Sequence, residues 1–348
     1  MKSMRLFYLL VGGSFALAAG FHYFTENEVL RFITASLAII FLASWLGKAT
    51  ENVAHYAGDR IGGFLNATFG NAAELIIAFF LVREGLFEMV KASITGSVIG
   101  NLLLVLGLSV LLGGLKFKEQ IFNSQLAGHN ASMMTLALVS LFIPAVFMSE
   151  LSLNKINTLS IVIAILLIIA YVLWLIFSMV THKSFLTDVE QYESEAIWSK
   201  PVSIVMLVLS TFFVAVVSEW LVHSVEAVSH TFGWSELFVG AFVIAIIGNA
   251  AEHSAAVLLA LKGRIGAAVE IAVGSSLQVA LFVAPTLVLI SLLFGSPMNI
   301  VFTVPELTAI AVSTIITISI CRDGKTNWFE GVLLLIVYVI LGTAFFFD

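Results

Sequence analysis

Gly70-Asn71-Ala72-Ala73-Glu74 returns later in the chain as Gly248-Asn249-Ala250-Ala251-Glu252, and this repetition decides how the sequence is read. Each copy lies in an apolar run long enough to cross a bilayer, so each carries a carboxylate to a depth where ionised groups are costly. Such residues are functional candidates. The two glutamates stand 178 positions apart, and Gly96-Ser97 and Gly274-Ser275 keep that same offset. The chain repeats itself.

Composition points the same way. Of 348 residues, 60% are hydrophobic and 11% charged, which excludes an ordinary soluble domain and fits a polytopic membrane protein. The net charge of -6 comes with no basic run, so nucleic acid is excluded as a partner and the bilayer is the expected one. Cys321 is alone, so no intrachain disulfide forms. Residues 1–20 resemble a signal peptide with an Ala16-Leu17-Ala18 end; they are read as an uncleaved first span.

Apolar runs bounded by charge and turn residues predict an all-α membrane protein of about eleven spanning helices. The expected spans are 6–23, 30–57, 61–83, 90–114, 130–149, 154–180, 201–229, 235–261, 265–294, 303–321 and 328–346. Lys2, Arg5, Lys48, Arg60, Lys116, Lys118, Lys183, Lys200, Lys262, Arg264, Arg322 and Lys325 fall on one side of these spans. Only Arg31, Arg83, Lys91 and Lys155 fall on the other. This bias predicts a cytoplasmic N-terminus and an external C-terminus.

Five spans separate Glu74 from Glu252, an odd number, so the copies enter the membrane in opposite senses, as in inverted-repeat transporters. The expected organisation is an extra N-terminal helix (1–24), a first five-helix repeat (25–180), a cytoplasmic acidic linker (181–200) and an inverted second repeat (201–348).

Within each pentapeptide the glycine lies four residues before the glutamate, on one helical face, and small residues allow close helix contact or a local break. A helix-packing motif is the bland alternative. Facing each other near the midplane, Glu74 and Glu252 cannot both stay ionised unless something neutralises them. Two occupants suit the pair: a divalent cation held by both carboxylates and further oxygens, or protons. A hard, oxygen-only site favours calcium over softer metals.

Other polar residues recur less strictly. Glu51 and His55 stand four apart, as do Glu219 and His223, but aligning them needs a ten-residue insertion. Glu51 and Glu219 are secondary candidates for transport, against a plain water-facing helix end. Ser97, Ser275, Asn101 and Gln278 sit at the paired Gly-Ser steps, and the last two miss strict register by one residue. Pro285 is expected to kink the ninth span. Asp188, Glu190, Glu193 and Glu195 make an acidic run, either a solvated linker or a calcium-attracting segment.

At these motifs the sequence resembles the calcium/cation-proton exchanger family of the calcium/cation antiporter superfamily. The matching stretches are 62–75, 248–253, 96–103 and 274–282. The resemblance implies that Glu74 and Glu252 bind the transported cation, with Asn71 and Asn249 nearby and backbone oxygens, at Gly70 and Gly248, completing the shell. It also implies that the second and seventh helices move as a gate and that the acidic linker matches a cytoplasmic acidic helix. Sodium-coupled relatives carry a hydroxyl residue and a Pro-Glu step here, whereas alanine precedes both glutamates in this chain, favouring protons.

The expectation is therefore a plasma-membrane antiporter that exports calcium in exchange for protons, with no cofactor. A homo-oligomer is compatible with the sequence. A sodium-coupled exchanger and a passive divalent-cation channel are the alternatives. A metal-dependent hydrolase is disfavoured by the lack of a His-Glu-x-x-His set.

Overall fold

The computed structural model describes residues 2–182 and 196–348, without the side chains of 2, 3, 59–61, 63, 64, 67, 124–127 and 149. Asp188, Glu190, Glu193 and Glu195 lie outside the described residues. The described chain is almost wholly helical. α1 (Met4–Phe24) and α2 (Glu28–Gly58) are followed by α3, which comes in two pieces, 59–69 and Ala72–Arg83. Then come α4 (Phe87–Phe117), α5 (Gly128–Phe147), α6 (Leu153–Thr181), α7 (Lys200–Phe232), α8 (Glu236–Leu261), α9 (Ile265–Phe294), α10 (Val304–Cys321) and α11 (Trp328–Phe347). Among the described residues, ten of these helices are long and apolar enough to cross a bilayer; the divided α3, expected as an eleventh span, has no unbroken run of that length.

The expected spans agree with these helices to within three residues, because long apolar runs leave little freedom about where a helix lies. The breaks have local causes. Gly58 separates α2 from α3 with φ 77°, a conformation glycine adopts at no steric cost. At Gly70-Asn71 the helical ladder lapses; Asn71 takes φ -92° and ψ 26°, and the Leu75 N–H returns to the Asn71 carbonyl at 3.0 Å. The second copy does not break: one helix runs from Ala245 to Leu261 through Gly248-Asn249. Wider π turns occur instead, at Gly100–Val105 in α4, Val279–Val283 in α9 and Val239–Ile244 in α8. The first two fall at matching places in the repeat. Pro285 was expected to kink α9; the distortion is the π turn just before it, and the helix resumes from Ala284 with the proline in its first turn, where no N–H bond is lost.

α4 and α9 form the centre, with 72% and 61% of their apolar windows buried, against 17% for α1 at the edge. α2 and α7 pack along each other, and α1 leans on both, meeting α7 through Phe15, whose ring lies 4.8 Å from Phe213 and 5.7 Å from Trp220. Asn52 fastens α2 to the start of α7: its Oδ1 accepts the Ile197 N–H at 2.7 Å and the Trp198 N–H at 3.3 Å. α4 and α11 meet backbone to backbone, since a Cβ on Gly331 would fall 2.4 Å from the Leu111 nitrogen. An antiparallel ribbon, Glu119–Ile121 with Lys325–Asn327, joins the loops beyond them. Ile165, Leu166, Ile169, Val172, Leu173 and Ile176 stay exposed along α6 at helical spacing, an apolar face suited to lipid.

Candidate cation site between crossed repeats

The molecule has a ribbon end and a far end. α4 and α8 begin at the far end; α9 begins at the ribbon end, where a Cβ on Gly266 would lie 3.5 Å from Phe122. The two pentapeptides meet between these ends, and they meet crosswise. A Cβ on Gly70 would stand 3.4 Å from Glu252 Oε1, and one on Gly248 would stand 3.1 Å from Glu74 Cγ. Each glycine thus clears room for the other copy's glutamate, and the two carboxylates act on each other.

The asparagines cross as well. Asn71 Nδ2 donates to the Ser275 carbonyl oxygen at 3.5 Å, and Asn249 Nδ2 donates to Ser97 Oγ at 3.0 Å. Each therefore reaches the Gly-Ser step of the other half. Asn249 also donates to the Ala245 carbonyl at 2.8 Å and accepts from Asn101 Nδ2 at 3.4 Å. Ser275 Oγ donates to Glu252 Oε2 at 2.5 Å.

Several buried polar atoms here have no partner: Glu74 Oε1, Asn71 Oδ1, Asn101 Oδ1, Gln278 Nε2 and His253 Nε2. Orphaned buried groups are expensive, and three of these are oxygens, the donor type a hard cation takes. No group of three His, Cys, Asp or Glu side chains gathers among the described residues, so any cation held here would draw on amide or carbonyl oxygens beside the two acids. Gln278 Oε1 lies 3.8 Å from the Gly70 Cβ position, which puts this amide beside the centre. Gly248 stays inside a continuous helix and makes room for Glu74, so the expectation of a broken backbone offering its carbonyl applies to the first copy alone.

Glu51 and Glu219 do not join this centre. Glu219 accepts from Arg83 Nη2 at 2.8 Å at the far end of α3, and Arg83 also reaches Glu84 at 3.0 Å. Glu51 is exposed on α2 near the ribbon end, one residue from Asn52. A partly exposed ion pair contributes about 0.2–1 kcal/mol. Glu219→Gln should accordingly lower the melting temperature in detergent only slightly and leave calcium binding intact. Lost calcium binding in that variant would contradict its distance from the centre.

Sequence reading missed one acid. Glu270 sits half-buried in α9, with the Asn130 side chain of α5 beside its carboxylate. A search for recurring polar residues passes over it, because the position 178 residues earlier is Ala92.

The seams flanking the centre differ. At the far end α4 and α8 touch: a Cβ on Gly96 would fall 2.0 Å from the Ala241 oxygen, and one on Gly240 would fall 2.6 Å from Ala92 Cβ. The repeat places Gly274 of α9 where Gly96 stands in α4, yet none of the described residues lies within 4 Å of a Cβ there. Among the described residues, the far seam is shut and the ribbon-end seam shows no matching contact at Gly274.

The family described as sodium/calcium exchanger protein matches residues 28–180 and 202–347. The chain is 47% identical to the Ca2+/H+ antiporter ChaA of Bacillus subtilis (strain 168), over 98% of this chain and 99% of that one. It is 47% identical to a Ca2+/H+ antiporter of Aphanothece halophytica, over 94% and 92%. Its fold matches the solved structure of native YfkE with a TM-score of 0.86 and 43% identity, covering 98% of this chain and all (100%) of that one.

Proposed function

We propose that this chain, which belongs to the sodium/calcium exchanger protein family, expels calcium in exchange for protons by alternating access to the Glu74–Glu252 centre. It is a multi-pass membrane transporter rather than an enzyme. Its kinship with two chains called Ca2+/H+ antiporters supports protons over sodium as the coupling ion, and a bacterial cell membrane as the setting. The observation that carries the reading is the crossed centre: two carboxylates beside unpartnered amide oxygens, with each half completing the other.

Calcium is the cargo. Glu74 and Glu252 would hold it, with Asn71 Oδ1 and Asn101 Oδ1 the amide oxygens free to join, and Asn249 positioned by Ser97 and Asn101. With the ion gone, the two acids would repel unless protonated, so the empty, doubly charged centre resists closure and the two fluxes are coupled. Calcium and protons exclude each other at the same oxygens. Lowering the pH by one unit should therefore weaken apparent calcium affinity, by up to about a hundredfold if two protons are displaced.

The unequal seams support alternating access. The excess of lysine and arginine at the ribbon end supports a cytosolic placement of that end. The family match falls in two segments on either side of residues 181–201, which supports a reading as two repeats and a linker.

Vesicles holding the purified protein test the reading. An imposed proton gradient should drive calcium uphill, and a sodium gradient alone should not. Calcium that only runs down its own gradient would mark a channel, and sodium-driven uptake would mark a sodium exchanger.

A further inference from the structure

α4, α5, α9 and α10 share a small, mostly apolar cavity, with about 20 Å3 open to the centre of a water-sized guest. By that measure one water needs roughly 10–15 Å3, so the cavity takes a single small occupant. Two sulfur-bearing side chains form part of its wall, Met134 of α5 and Cys321 of α10, 2% and 6% exposed, and Cys321 is the one cysteine of the chain. Thr314 of α10 lines it as well, buried, with a hydroxyl that has no partner among the described residues. The neighbouring Thr317 hydroxyl is engaged, donating to the Leu102 carbonyl of α4 at 3.3 Å. We propose that this cavity is a binding site for one soft monovalent metal ion, copper(I) or silver(I), held between the Cys321 thiolate and the Met134 thioether.

Other small guests fit this wall worse. A buried water makes about three hydrogen bonds, and here it would find the Thr314 hydroxyl and two sulfurs, which are weak acceptors. Calcium takes about six to eight hard oxygens, which two threonine hydroxyls cannot supply. Thiolate and thioether select soft cations, which accept a pair of sulfurs, and the Thr314 oxygen is at hand beside them. Charge favours a cation too. The carboxylates of Asp323 and Glu330 lie within electrostatic reach of the Cys321 sulfur. The basic residues next along the chain, Arg322 and Lys325, are exposed at the ribbon, and Lys325 pairs with Glu119 at 3.2 Å. On binding, the Cys321 S–H bond breaks, an S–metal bond forms and the proton passes to solution. The Met134 sulfur lends a lone pair, and no electron is transferred, so the ion arrives and stays monovalent. Bound there, it would tie α5 to α10 across Leu102, the residue after Asn101 in the π turn of α4. Its ligands are sulfur where those of the Glu74–Glu252 centre are oxygen, so the two sites do not compete for one ion.

The test measures binding alone, so it stands or falls apart from the exchange proposed above. Silver nitrate is titrated by calorimetry into the purified chain in chloride-free detergent buffer, and melting is followed with and without the metal. One Ag+ per chain should bind with a Kd of about 1 μM or tighter, and the Tm should rise by about 3 °C or more. Cys321→Ser should remove both the tight site and the rise in Tm. Met134→Leu, which nearly keeps the volume, should weaken silver binding by about tenfold or more. Should either variant fail to fold, Cys321→Ala or Met134→Ile carries the same expectation. Silver affinity unchanged without the Met134 sulfur would mean that Cys321 binds as a bare thiol, and overturns the site. Tight binding that survives without the Cys321 sulfur, or that is absent from the unmodified chain, overturns it equally.

Discussion

Glu74→Gln or Glu252→Gln should abolish calcium–proton exchange while leaving the protein folded. Glutamine has nearly the shape of glutamate, and its amide oxygen can still accept the Ser275 hydroxyl that now bonds Glu252 Oε2 at 2.5 Å. What it cannot do is offer negative charge to a cation or release a proton near neutral pH. Removing one partner of a buried charge pair costs roughly 3–5 kcal/mol, which is about a hundredfold or more in calcium affinity. Calorimetry should show calcium binding lost, and vesicle uptake under a proton gradient should fall to background, with the chromatographic profile unchanged. Robust exchange in either variant would move the transport site elsewhere. The crossed glycines make the two expectations equal, since each acid is seated by the other half of the chain.

Gly96→Ala is the second large effect. The added methyl would lie 2.0 Å from the Ala241 oxygen and 2.4 Å from its Cα, and both are backbone atoms that no rotamer change can move aside. α4 and α8 would have to part, a strain of the size that overpacking brings, about 1–3 kcal/mol. Transport should be nearly lost and the apparent Tm should fall by several degrees. Gly274→Ala supplies the contrast. Its methyl meets none of the described residues within 4 Å, so the Tm should hold, while turnover should drop if the ribbon end must close over Gly274 as the far seam closes over Gly96. Equal destabilisation in the two variants would mean that the seams are not unequal after all.

How much of this was legible beforehand depends on the kind of physics involved. Span positions such as Ile265–Phe294 follow from hydropathy summed over many residues, a signal too large for local exceptions to disturb. The recurrence of Asn71 with Asn249, and of Ser97 with Ser275, is visible as spacing. That each asparagine reaches the serine of the other half is a tertiary fact with no local trace. The break at Gly70-Asn71 and the unbroken helix at Gly248-Asn249 come from identical residues, so surroundings decide between them. Glu51 and Glu219 misled because matching spacing says nothing of depth. Glu219 has its own partner in Arg83, 136 positions away in the chain. Glu270 was hidden by the very symmetry that exposed the others.

The exchange of asparagine contacts between Asn71 and the Ser275 backbone, and between Asn249 and Ser97, has a consequence for how such a protein can arise. Neither stretch of five helices completes this centre by itself, so one half alone would leave Asn71 or Asn249 without the partner it has here. Joined in one polypeptide, the two halves need not match away from that centre, and Ala92 and Glu270 differ at corresponding positions.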